Sequence, residues 1–549
     1  MKVVLASLNS RYVHSNLAIR YLKSYALGFN IEIYERTINE SSYEIALDIA
    51  YKKPDIVGFS CYIWNIENTL KVCSILKQVN QDIKIVLGGP EVSYDPKEVL
   101  EKYQFIDFVV YGEGEKTFKE LLEALVYKRE IVKVKGLAYR NEDGVFVNEK
   151  RPLILNLDEI PFPYDKLPEK IIYYEASRGC PFNCKYCLSS TIKGVRFFSL
   201  DRVKRDLKFF IDNNVKLVKF VDRTFNANKK VAIEIWNFLI ENAKSTKFHF
   251  EIAADLLDDE CLDVLKRAPY GLFQFEIGVQ TTNLEVLKNI NRVMNFKRVK
   301  ENVRKILDEG NIHCHLDLIV GLPGEDLDSF KKSFEDVMSI RPDVLQIGFL
   351  KVLKGSDMSK EKDIYGIKHS PYPPYQVVKT KDLSFEDILF LTKFEETFEI
   401  YYNSHLYDIT INYFLNKIKS YEFFYRLTNY LDKRGFFELN HDLNSKTKML
   451  YEFLKAYDEE DLVKDLLIHD YVFTTKKSYL PEFLKKDMDF NLKDFLKEKE
   501  DEIKERLNVE NFKNLFVIPT KISYNKEYVI GNFILVIDLS RKIWTYFNK

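Results

Sequence analysis

The sequence predicts an α/β fold in three parts: an N-terminal doubly wound, Rossmann-like domain, a central α/β barrel of the partial TIM type, and a C-terminal, mostly helical domain that ends in a small β-sheet. Over residues 1–150, short and almost wholly apolar runs alternate with helical patterns. This is typical of parallel strands that are buried on both faces. Strand and helix signals alternate again to about residue 352, over a length that suits an α/β barrel.

The elements of the first domain can be assigned from these patterns. The predicted strands are Lys2–Leu8, Asp55–Ser60, Lys84–Leu87 and Phe105–Tyr111, and the predicted helices include Leu17–Leu27, Ile66–Val79 and Lys116–Tyr127. Residues 151–170 hold four prolines among acidic residues and are predicted to be a linker. We assign residues 171–365 to the barrel and residues 366–549 to a C-terminal α+β domain, with final strands at Leu515–Ile518, Tyr528–Ile530, Phe533–Leu539 and Ile543–Phe547.

Composition narrows the class of protein. The chain has 549 residues, and 82 Lys and Arg balance 83 Asp and Glu, so neither nucleic acid nor an anionic membrane is indicated as a partner. Seven cysteines, an odd and low number, argue against a disulfide framework and for a reducing compartment. The first apolar run, Val3–Ala6, is too short for a signal peptide, and no stretch approaches the roughly 18 apolar residues of a membrane span. We therefore expect a cytoplasmic protein without membrane insertion.

Ligands of doubly wound sheets bind beyond the carboxyl ends of the strands, so the residues that follow each predicted strand are candidate binding residues. They are Asn9, Ser10, Tyr12, His14, Ser60, Tyr62, Gly88, Gly89, Pro90, Glu91, Gly112, Glu113 and Gly114. No G-x-G-x-x-G follows the first strand, so a dinucleotide is poorly supported. The glycines either let a ligand approach the backbone closely or only form tight turns.

The strongest chemical signal is a cluster of three cysteines, Cys180, Cys184 and Cys187, spaced C-x₃-C-x₂-C directly after the predicted strand Ile171–Ser177. Soft thiolate ligands select zinc or iron–sulfur clusters. Structural zinc needs four ligands, whereas the other four cysteines are scattered singly. Three thiolates on a cubane cluster would leave one iron open to a further ligand.

The segment Glu175–Cys187 resembles the signature of the radical S-adenosylmethionine (SAM) superfamily. The resemblance implies that Cys180, Cys184 and Cys187 hold a [4Fe–4S] cluster whose fourth iron is chelated by SAM, and that Tyr186 lies near the adenine. Reductive cleavage of SAM in this family yields a 5′-deoxyadenosyl radical that abstracts a hydrogen from the substrate. The resemblance therefore also implies an electron donor such as flavodoxin or ferredoxin.

The barrel strands carry a second signal, which is independent of the cysteines. Strict alternation of apolar and polar residues recurs in Phe248–Asp255, Phe273–Gln280, His313–Val320 and Leu345–Phe349. Strands covered by outer helices need an apolar outward face, so the polar set should point into the lumen. A lumen lined by His, Glu, Gln and Asp indicates a site rather than a packed core. His313, His315 and Asp317 share one strand face and are candidates for proton transfer.

The family resemblance implies further SAM contacts. Phe220–Asn226 resembles the second-strand segment that approaches the methionyl group, although it departs from the simpler Gly-Gly-Glu form, and Leu318–Glu325 resembles the sixth-strand motif that contacts adenine. The residues assigned to SAM in this way are Tyr186, Asp222, Glu251, Gln280, Gly321 and Pro323.

The N-terminal domain extends the resemblance to the cobalamin-binding branch of the superfamily, whose strand-end motifs match Gly88–Glu91 and Tyr111–Glu115. This implies that cobalamin lies against the carboxyl edge of the sheet, with its upper face towards the cluster. The D-x-H-x-x-G motif that supplies an axial histidine elsewhere is absent. His14 is therefore either a loop or corrin-edge contact, which we favour, or a cobalt ligand.

The resulting expectation is a cobalamin-dependent radical SAM enzyme that methylates an unactivated carbon through methylcobalamin and a 5′-deoxyadenosyl radical. The alternative keeps both cofactors and performs a rearrangement, cyclisation or redox reaction without methyl transfer. A methylthiotransferase is less expected, because the first domain has only Cys61 and Cys73 for a second cluster. A non-enzymatic carrier would not explain the polar lumen. The carboxyl-terminal segment resembles an uncharacterised domain that is appended to some family members.

Overall fold

A computed structural model describes residues 1–486, 491–525 and 527–549. The chain divides into two compact units. The first comprises Met1–Ser333, Ile340–Asp343 and Ile347–Phe385, and the second comprises Phe334–Ser339, Val344–Gln346 and Glu386–Lys549.

Residues 1–150, all of which the structure describes, form a seven-stranded sheet of order β2-β1-β3-β4-β5-β6-β7. Its strands are β1 (Lys2–Asn9), β2 (Asn30–Thr37), β3 (Ile56–Ser60), β4 (Lys84–Gly88), β5 (Phe108–Val110), β6 (Leu137–Asn141) and β7 (Gly144–Val147). The helices are α1 (Leu17–Tyr25), α2 (Ser42–Tyr51), α3 (Ile66–Val79), α4 (Pro90–Ser93), α5 (Pro96–Lys102) and α6 (Gly114–Tyr127). β1 to β5 are parallel, whereas β6 and β7 are antiparallel.

The core of this sheet lies on both of its faces, as predicted for a doubly wound fold. Val4 and Leu8 of β1 belong to one apolar cluster, and Val3 and Leu5 belong to another. The prediction did not include β2, because only Ile31, Tyr34 and Thr37 of its eight residues are buried and they form no continuous apolar run. The β6–β7 hairpin was likewise not predicted.

The central sheet is parallel and open, with the order β15-β14-β13-β12-β11-β8 between edge strands β8 and β15. Its strands are β8 (Ile172–Tyr174), β11 (Leu217–Phe220), β12 (Lys247–Ile252), β13 (Phe273–Gln280), β14 (His313–Val320) and β15 (Val344–Phe349). The helices of this region are α7 (Leu200–Asp212), α8 (Lys229–Asn242), α9 (Asp259–Lys266), α10 (Leu284–Asn289), α11 (Phe296–Glu309), α12 (Leu327–Met338) and α13 (Asp357–Glu361). The predicted partial barrel is therefore confirmed.

The predicted alternation is present in the barrel strands. Buried and partly exposed positions alternate without exception along β13 and along β14. The apolar face is covered from outside, since Trp236 of α8 lies with its ring centroid 6.0 Å from that of Phe275. The polar face is therefore the lumenal one.

The first predicted barrel strand, Ile171–Ser177, is wrong in its extent. The chain leaves the sheet after β8, and Ser177–Cys180 forms a separate strand, β9, which pairs antiparallel with β10 (Gly194–Phe197). The buried carboxylate of Asp222 accepts hydrogen bonds from the Ala176 N–H at 2.9 Å and from the Ser177 hydroxyl at 2.5 Å. These bonds fix the chain where it departs from the sheet and place Cys180 at the end of a hairpin strand.

A small antiparallel pair, β16 (Lys368–His369) and β17 (Val377–Lys379), completes the first unit. The second unit is mostly helical. Its helices are α14 (Phe385–Phe398), which continues as a π-helical turn at Glu399–Asn403, α15 (Asp408–Leu415), α16 (Ser420–Asp432), α17 (Leu443–Leu454), α18 (Glu460–Thr475), α19 (Leu492–Glu498) and α20 (Glu500–Leu507). The aromatic residues Phe394, Phe398 and Tyr401 are buried there.

The second unit ends in an antiparallel sheet of β18 (Leu515–Asn525), β19 (Glu527–Asp538) and β20 (Ile543–Asn548). The separation of Tyr528–Ile530 from Phe533–Leu539 was wrong, because β19 runs through Gly531 and Asn532 without interruption. These two residues break the apolar pattern but not the hydrogen-bonded backbone. Among the described residues, none of the helices combines the length and apolar character that crossing a lipid bilayer requires.

Candidate functional site

The three cysteines of the predicted cluster lie in one loop, and each sulfur has a polar neighbour. Cys180 ends β9, and its Sγ lies 3.5 Å from the hydroxyl of Thr224. Cys184 is buried within the loop. Cys187 caps a short 3₁₀ helix, where its Sγ accepts a hydrogen bond of 3.4 Å from the Ser189 N–H. Hydrogen bonds to cluster sulfurs are a recurrent way to tune an iron–sulfur site.

Arg292 supports this loop from the segment that follows α10. Its guanidinium lies 3.7 Å from the Sγ of Cys184 and 3.5 Å from the hydroxyl of Tyr186, and it also donates to the carbonyl of Gly278. Its Nε is buried without a hydrogen-bond partner among the described residues. The sequence analysis did not select Arg292, because nothing in its local pattern marks it.

A cavity of about 230 Å³, the cluster cavity, opens beside the cysteine loop. Its lining includes Cys180, Cys184, Tyr186, Cys187, Arg223, Glu251, Glu276, Gln280, Arg292 and Asp317. Gln280 and Asp317 each have a buried side-chain oxygen without a hydrogen-bond partner in the described structure. Such atoms cost free energy unless a ligand or water satisfies them. The lining therefore suits a polar ligand with several donors, as SAM is.

Ionisable groups around this cavity have shifted pKa values. Burial, followed by the charges of Glu276 and Glu251, raises the pKa of Asp317 well above its usual range. Burial also raises the pKa of Glu251. By contrast, a hydrogen bond from His249, whose Nε2 lies 3.2 Å from the carboxylate, lowers the pKa of Glu276. The cavity thus combines carboxyl groups whose pKa values are raised by burial with one whose pKa is lowered by a neighbouring histidine.

A β-bulge shapes the end of β13. The pairing register with β14 shifts between Gly278 and Gln280, and Gln280 adopts a left-handed conformation with φ of 72°. A Cβ on Gly278 would lie 2.3 Å from the Nε2 of Gln280. Bulges beside active sites re-aim side chains, and here the glycine leaves room for the amide of Gln280.

The predicted SAM and proton-transfer residues separate into two groups. Tyr186, Glu251, Gln280 and Asp317 line the cluster cavity, whereas Asp222, Gly321, Pro323, His313 and His315 do not. Asp222 is buried behind the β8–β9 junction, where burial raises its pKa to about 7. Gly321 packs against Val377, and the carbonyl of Pro323 accepts a hydrogen bond from Asn289. The roles assigned to all these residues remain predictions.

A second cavity of about 550 Å³, the edge cavity, lies at the carboxyl edge of the N-terminal sheet. Its lining combines residues of both domains of the first unit, including Asn9, Ser10, His14, Tyr62, Trp64, Glu113, Glu115, Tyr173, Arg178, Arg196 and Arg223. Tyr62 and Trp64 stack with ring centroids 4.4 Å apart. The hydroxyl of Tyr173 lies 2.7 Å from the Nδ1 of His14, so in this structure that ring nitrogen is engaged with the barrel.

A smaller cavity of about 140 Å³, the glycine pocket, penetrates the sheet edge. The glycines in its wall are Gly58, Gly88, Gly89, Gly112 and Gly114. Gly89 has φ of 106°, and a Cβ there would lie 2.6 Å from the carbonyl oxygen of Cys61. Ser60 and Tyr62 also line this pocket. Backbone walls of this kind let a flat group enter the sheet edge. The glycine pocket and the edge cavity therefore fit a bulky cofactor such as cobalamin.

Three of the predicted cobalamin residues line neither of these two cavities. Tyr12 is 74% exposed and contacts the ammonium of Lys170 through its ring. Pro90 begins α4, and the buried carboxylate of Glu91 accepts a hydrogen bond of 2.8 Å from the hydroxyl of Tyr375. Glu91 thus connects the first domain to a barrel loop. The sequence alone could not separate such contacts from ligand contacts.

A buried group of charges joins the two domains of the first unit. Arg178, two residues before Cys180, donates to Glu115 at 2.6 Å and to Glu175 at 2.8 Å. Arg196 donates to Glu113 at 2.7 Å. These arginines were not predicted as functional, because their partners are distant in sequence.

Arg223 lines both the cluster cavity and the edge cavity. The two cavities therefore share a wall. All seven cysteines lie in the described part of the chain and are free. In that part, no group of three or more His, Cys, Asp or Glu side chains encloses a single metal ion.

Three family models match successive parts of the chain. Residues 1–122 match the B12 binding domain, residues 174–337 match the radical SAM superfamily, and residues 363–543 match a protein family of unknown function, DUF4080. The chain therefore contains a B12-binding domain followed by a radical SAM domain, as its motifs predicted.

Curated relatives cover parts of the chain. It is 32% identical over 296 residues to the uncharacterized methyltransferase PH0819 of Pyrococcus horikoshii, over 51% of this chain and 63% of the relative. It is 24% identical over 351 residues to the cobalamin-dependent radical SAM methyltransferase TokK of Streptomyces tokunonensis, over 59% of this chain and 51% of the relative. It is 28% identical over 364 residues to the anaerobic magnesium-protoporphyrin IX monomethyl ester cyclase of Rubrivivax gelatinosus, over 62% of this chain and 64% of the relative. The chain thus spans about half to two thirds of the length of these relatives.

A solved structure shows the same fold. The cobalamin-dependent S-adenosylmethionine radical enzyme OxsB, with aqua-cobalamin and S-adenosylmethionine bound, superposes with a TM-score of 0.60 at 16% identity, over 93% of this chain and 82% of that chain.

Proposed function

We propose that this protein is a cobalamin-dependent radical SAM enzyme that methylates an unactivated carbon. The observation that carries the proposal is the shared wall at Arg223 between a cavity lined by the three cysteines and a cavity at the edge of the B12-binding sheet. Two adjacent cofactor sites are what a reaction needs when it both generates a substrate radical and delivers a methyl group. The names of two relatives, PH0819 and TokK, support methyl transfer.

The residues that would hold the cofactors follow from the lining of the cavities. Cys180, Cys184 and Cys187 would bind a [4Fe–4S] cluster, and Tyr186, Glu251 and Gln280 of the cluster cavity would bind SAM. The glycine pocket and the edge cavity would hold cobalamin. When bound, these groups supply a 5′-deoxyadenosyl radical and a transferable methyl group. An unactivated carbon has no lone pair with which to attack SAM, which is why the reaction needs both.

The protein's own contribution is positioning and protonation. Arg292 and the N–H of Ser189 donate towards sulfurs of the cysteine loop. Burial raises the pKa of Asp317 and so favours a carboxyl O–H donor inside the cluster cavity. The ion pairs of Arg178 hold the loop against the N-terminal sheet.

We place the reaction in the cytoplasm, with flavodoxin or ferredoxin as the electron donor. The free cysteines support a reducing compartment. The family requires a reductant.

A second candidate function is cyclisation or another oxidation in which cobalamin takes part without methyl transfer. The relationship to the magnesium-protoporphyrin cyclase favours it, because that match covers 62% of this chain.

The test is product analysis on anaerobically reconstituted protein. Iron and sulfide content, the visible spectrum of bound cobalamin and the products of SAM after reduction are measured together. We expect both 5′-deoxyadenosine and S-adenosylhomocysteine. Deoxyadenosine alone, with cobalamin bound, would favour the second candidate. Protein that binds no cobalamin would overturn both proposals.

A matched pair of variants tests the cobalamin site. Gly88 lines the glycine pocket, and a Cβ there would meet its nearest protein atom at an ordinary distance of 3.5 Å. We expect Gly88→Ala to fold and bind cobalamin. Gly88→Leu should fill the pocket, abolish the cobalamin spectrum and leave the iron content unchanged.

A further inference from the structure

We propose that Lys219 and Arg223 form a recognition site for an anionic group of the substrate, a carboxylate or a phosphate. The inference rests on the proposed function and adds a substrate class to it. It starts from two cations that the reaction as described above does not use.

Lys219 is half-buried and Arg223 is exposed where it lines the two cavities, and neither side chain has a partner in the described structure. No hydrogen bond or ion pair joins the side chain of Lys219 or Arg223 to another described residue. This distinguishes them from Arg178, Arg196 and Arg292, each of which is bonded to neighbouring protein groups. A cation that lines a cavity and is not paired within the protein is available to a ligand.

Lys219 belongs to the lumenal face. It pairs in register with Tyr173 of β8 and with His249 of β12. Its charge acts on residues of both cavities. After burial, it is the largest influence that lowers the pKa of His14 in the edge cavity, and it also favours the ionised form of Glu276 in the cluster cavity. Tyr173 lines the edge cavity, so Lys219 lies beside that cavity on the lumenal face.

Arg223 reaches the same region from four residues further along the chain. In an extended chain, the Cα atoms of Lys219 and Arg223 are at most about 13 Å apart. The two long side chains can therefore meet between them. Both charges act on one carboxylate, that of Glu251. Both cations are thus near this carboxylate, and Arg223 forms part of the shared wall.

The acidic residues nearby do not neutralise this pair. Glu276 is engaged by His249 at 3.2 Å. Asp317 and Glu251 are shifted towards the neutral form by burial. An arginine fork and a lysine point charge together suit a carboxylate or a phosphate oxygen set. A substrate anchored there would lie between the two cofactor cavities, where both could act on it.

The test is site-specific acetylation of Lys219 by an N-hydroxysuccinimide ester in the full-length, reconstituted protein, measured by peptide mass spectrometry. Inorganic phosphate and succinate are the two probes, each at matched ionic strength with chloride. Lys216, an exposed lysine three residues earlier, is the internal control. We expect one probe to slow the acetylation of Lys219 and to leave that of Lys216 unchanged. The effective probe shows whether the substrate carries a phosphate or a carboxylate.

The variant Arg223→Met tests the second cation. We expect about tenfold weaker protection of Lys219, because a hydrogen bond to a charged group contributes roughly that factor. Equal acetylation with and without both probes would overturn the proposal, as would a Lys219 that does not react at all. Complete protection by SAM alone would also overturn it, since the cations would then belong to the SAM site. The labelling needs no turnover, so its outcome is independent of the product analysis above.

Discussion

The guanidinium of Arg178 donates to the carboxylate of Glu115 over 2.6 Å, and this ion pair links the cysteine loop to the first turn of α6 in the B12-binding domain. Glu115 lines both the edge cavity and the glycine pocket, and its second oxygen, Oε2, has no hydrogen-bond partner in the described part of the chain. One carboxylate thus contacts the loop that carries the cluster ligands and borders the space proposed for cobalamin.

The first prediction concerns this pair. Arg178→Met should weaken cobalamin binding and lower the midpoint of thermal unfolding, because three carboxylates, Glu113, Glu115 and Glu175, would lose a shared cation. Removing one partner of a buried pair costs about 3–5 kcal/mol. Spectroscopic titration with cobalamin and thermal unfolding measure the two effects.

The control for this prediction is Lys23→Met. Lys23 forms a similarly short ion pair of 2.7 Å with Asp165, but the two side chains are 34% and 68% exposed, and surface pairs contribute about 0–1 kcal/mol. If both variants behave alike, the pair of Arg178 does not have the role described here.

The second prediction concerns the cluster ligands. Cys180→Ala, Cys184→Ala and Cys187→Ala should each reduce the iron content of the reconstituted protein well below about four per chain, since the cubane would lose one of its three protein thiolates. Cys261→Ala is the matched control, because Cys261 is buried in α9, outside the cluster cavity. Iron and sulfide assays on the four variants measure this loss. A full iron complement in any of the three variants would contradict the assignment.

The third prediction concerns the bulge in β13. Gly278→Ala should weaken SAM binding about tenfold or more without unfolding the protein, because the added methyl group displaces the mobile amide of Gln280 rather than backbone. Gly348→Ala, in β15 of the same sheet, adds a methyl group at an ordinary contact distance of 3.6 Å and should bind SAM normally. Equilibrium binding of SAM to both variants provides the comparison.

The fourth prediction concerns pH and the second unit. Burial lowers the pKa of His469 from 6.5 to about 4, and both ring nitrogens are without hydrogen-bond partners among the described residues. The unfolded chain therefore binds a proton below pH 6.5 that the folded chain does not bind until about pH 4. Stability is highest above pH 6.5, and about 3 kcal/mol should be lost as the pH falls through this window.

Denaturant unfolding between pH 7 and pH 4 checks this dependence, with the fluorescence of Trp544, whose ring centroid lies 4.9 Å from that of His469, as a local probe. His469→Phe should unfold with a smaller change over the same pH range, because it removes the titrating group. An unchanged pH dependence in this variant would assign the effect to other groups.

Much of the fold could be predicted because the burial of a strand is visible in its sequence. A strand buried on both faces is a continuous apolar run, and a strand buried on one face alternates between apolar and polar residues. β1 is apolar throughout and β13 alternates strictly, so both were located closely. β2 was missed because an edge strand needs no continuous apolar run. The single strand β19 was divided in two because Gly531 and Asn532 interrupt its side chains, although they do not interrupt its backbone bonds.

The site was predictable only where its ligands are close in sequence. Cys180, Cys184 and Cys187 span eight residues and needed no structure. Arg292 reaches the cysteine loop from 108 residues beyond Cys184, and such contacts are made by the tertiary fold. A cation placed shortly after a sheet strand, as Arg223 is three residues after the end of β11, is the one local signal that could have indicated a further member of the site.

The position of Arg223 in the wall of both cavities has a consequence for the order in which ligands are loaded. A ligand that moves this side chain on entering one cavity changes the affinity of the other, and thermodynamic linkage makes the effect reciprocal. Saturation with SAM should then alter the dissociation constant of cobalamin by the same factor by which cobalamin alters that of SAM. An inhibitor of one cavity would in this way modulate the other cavity without entering it.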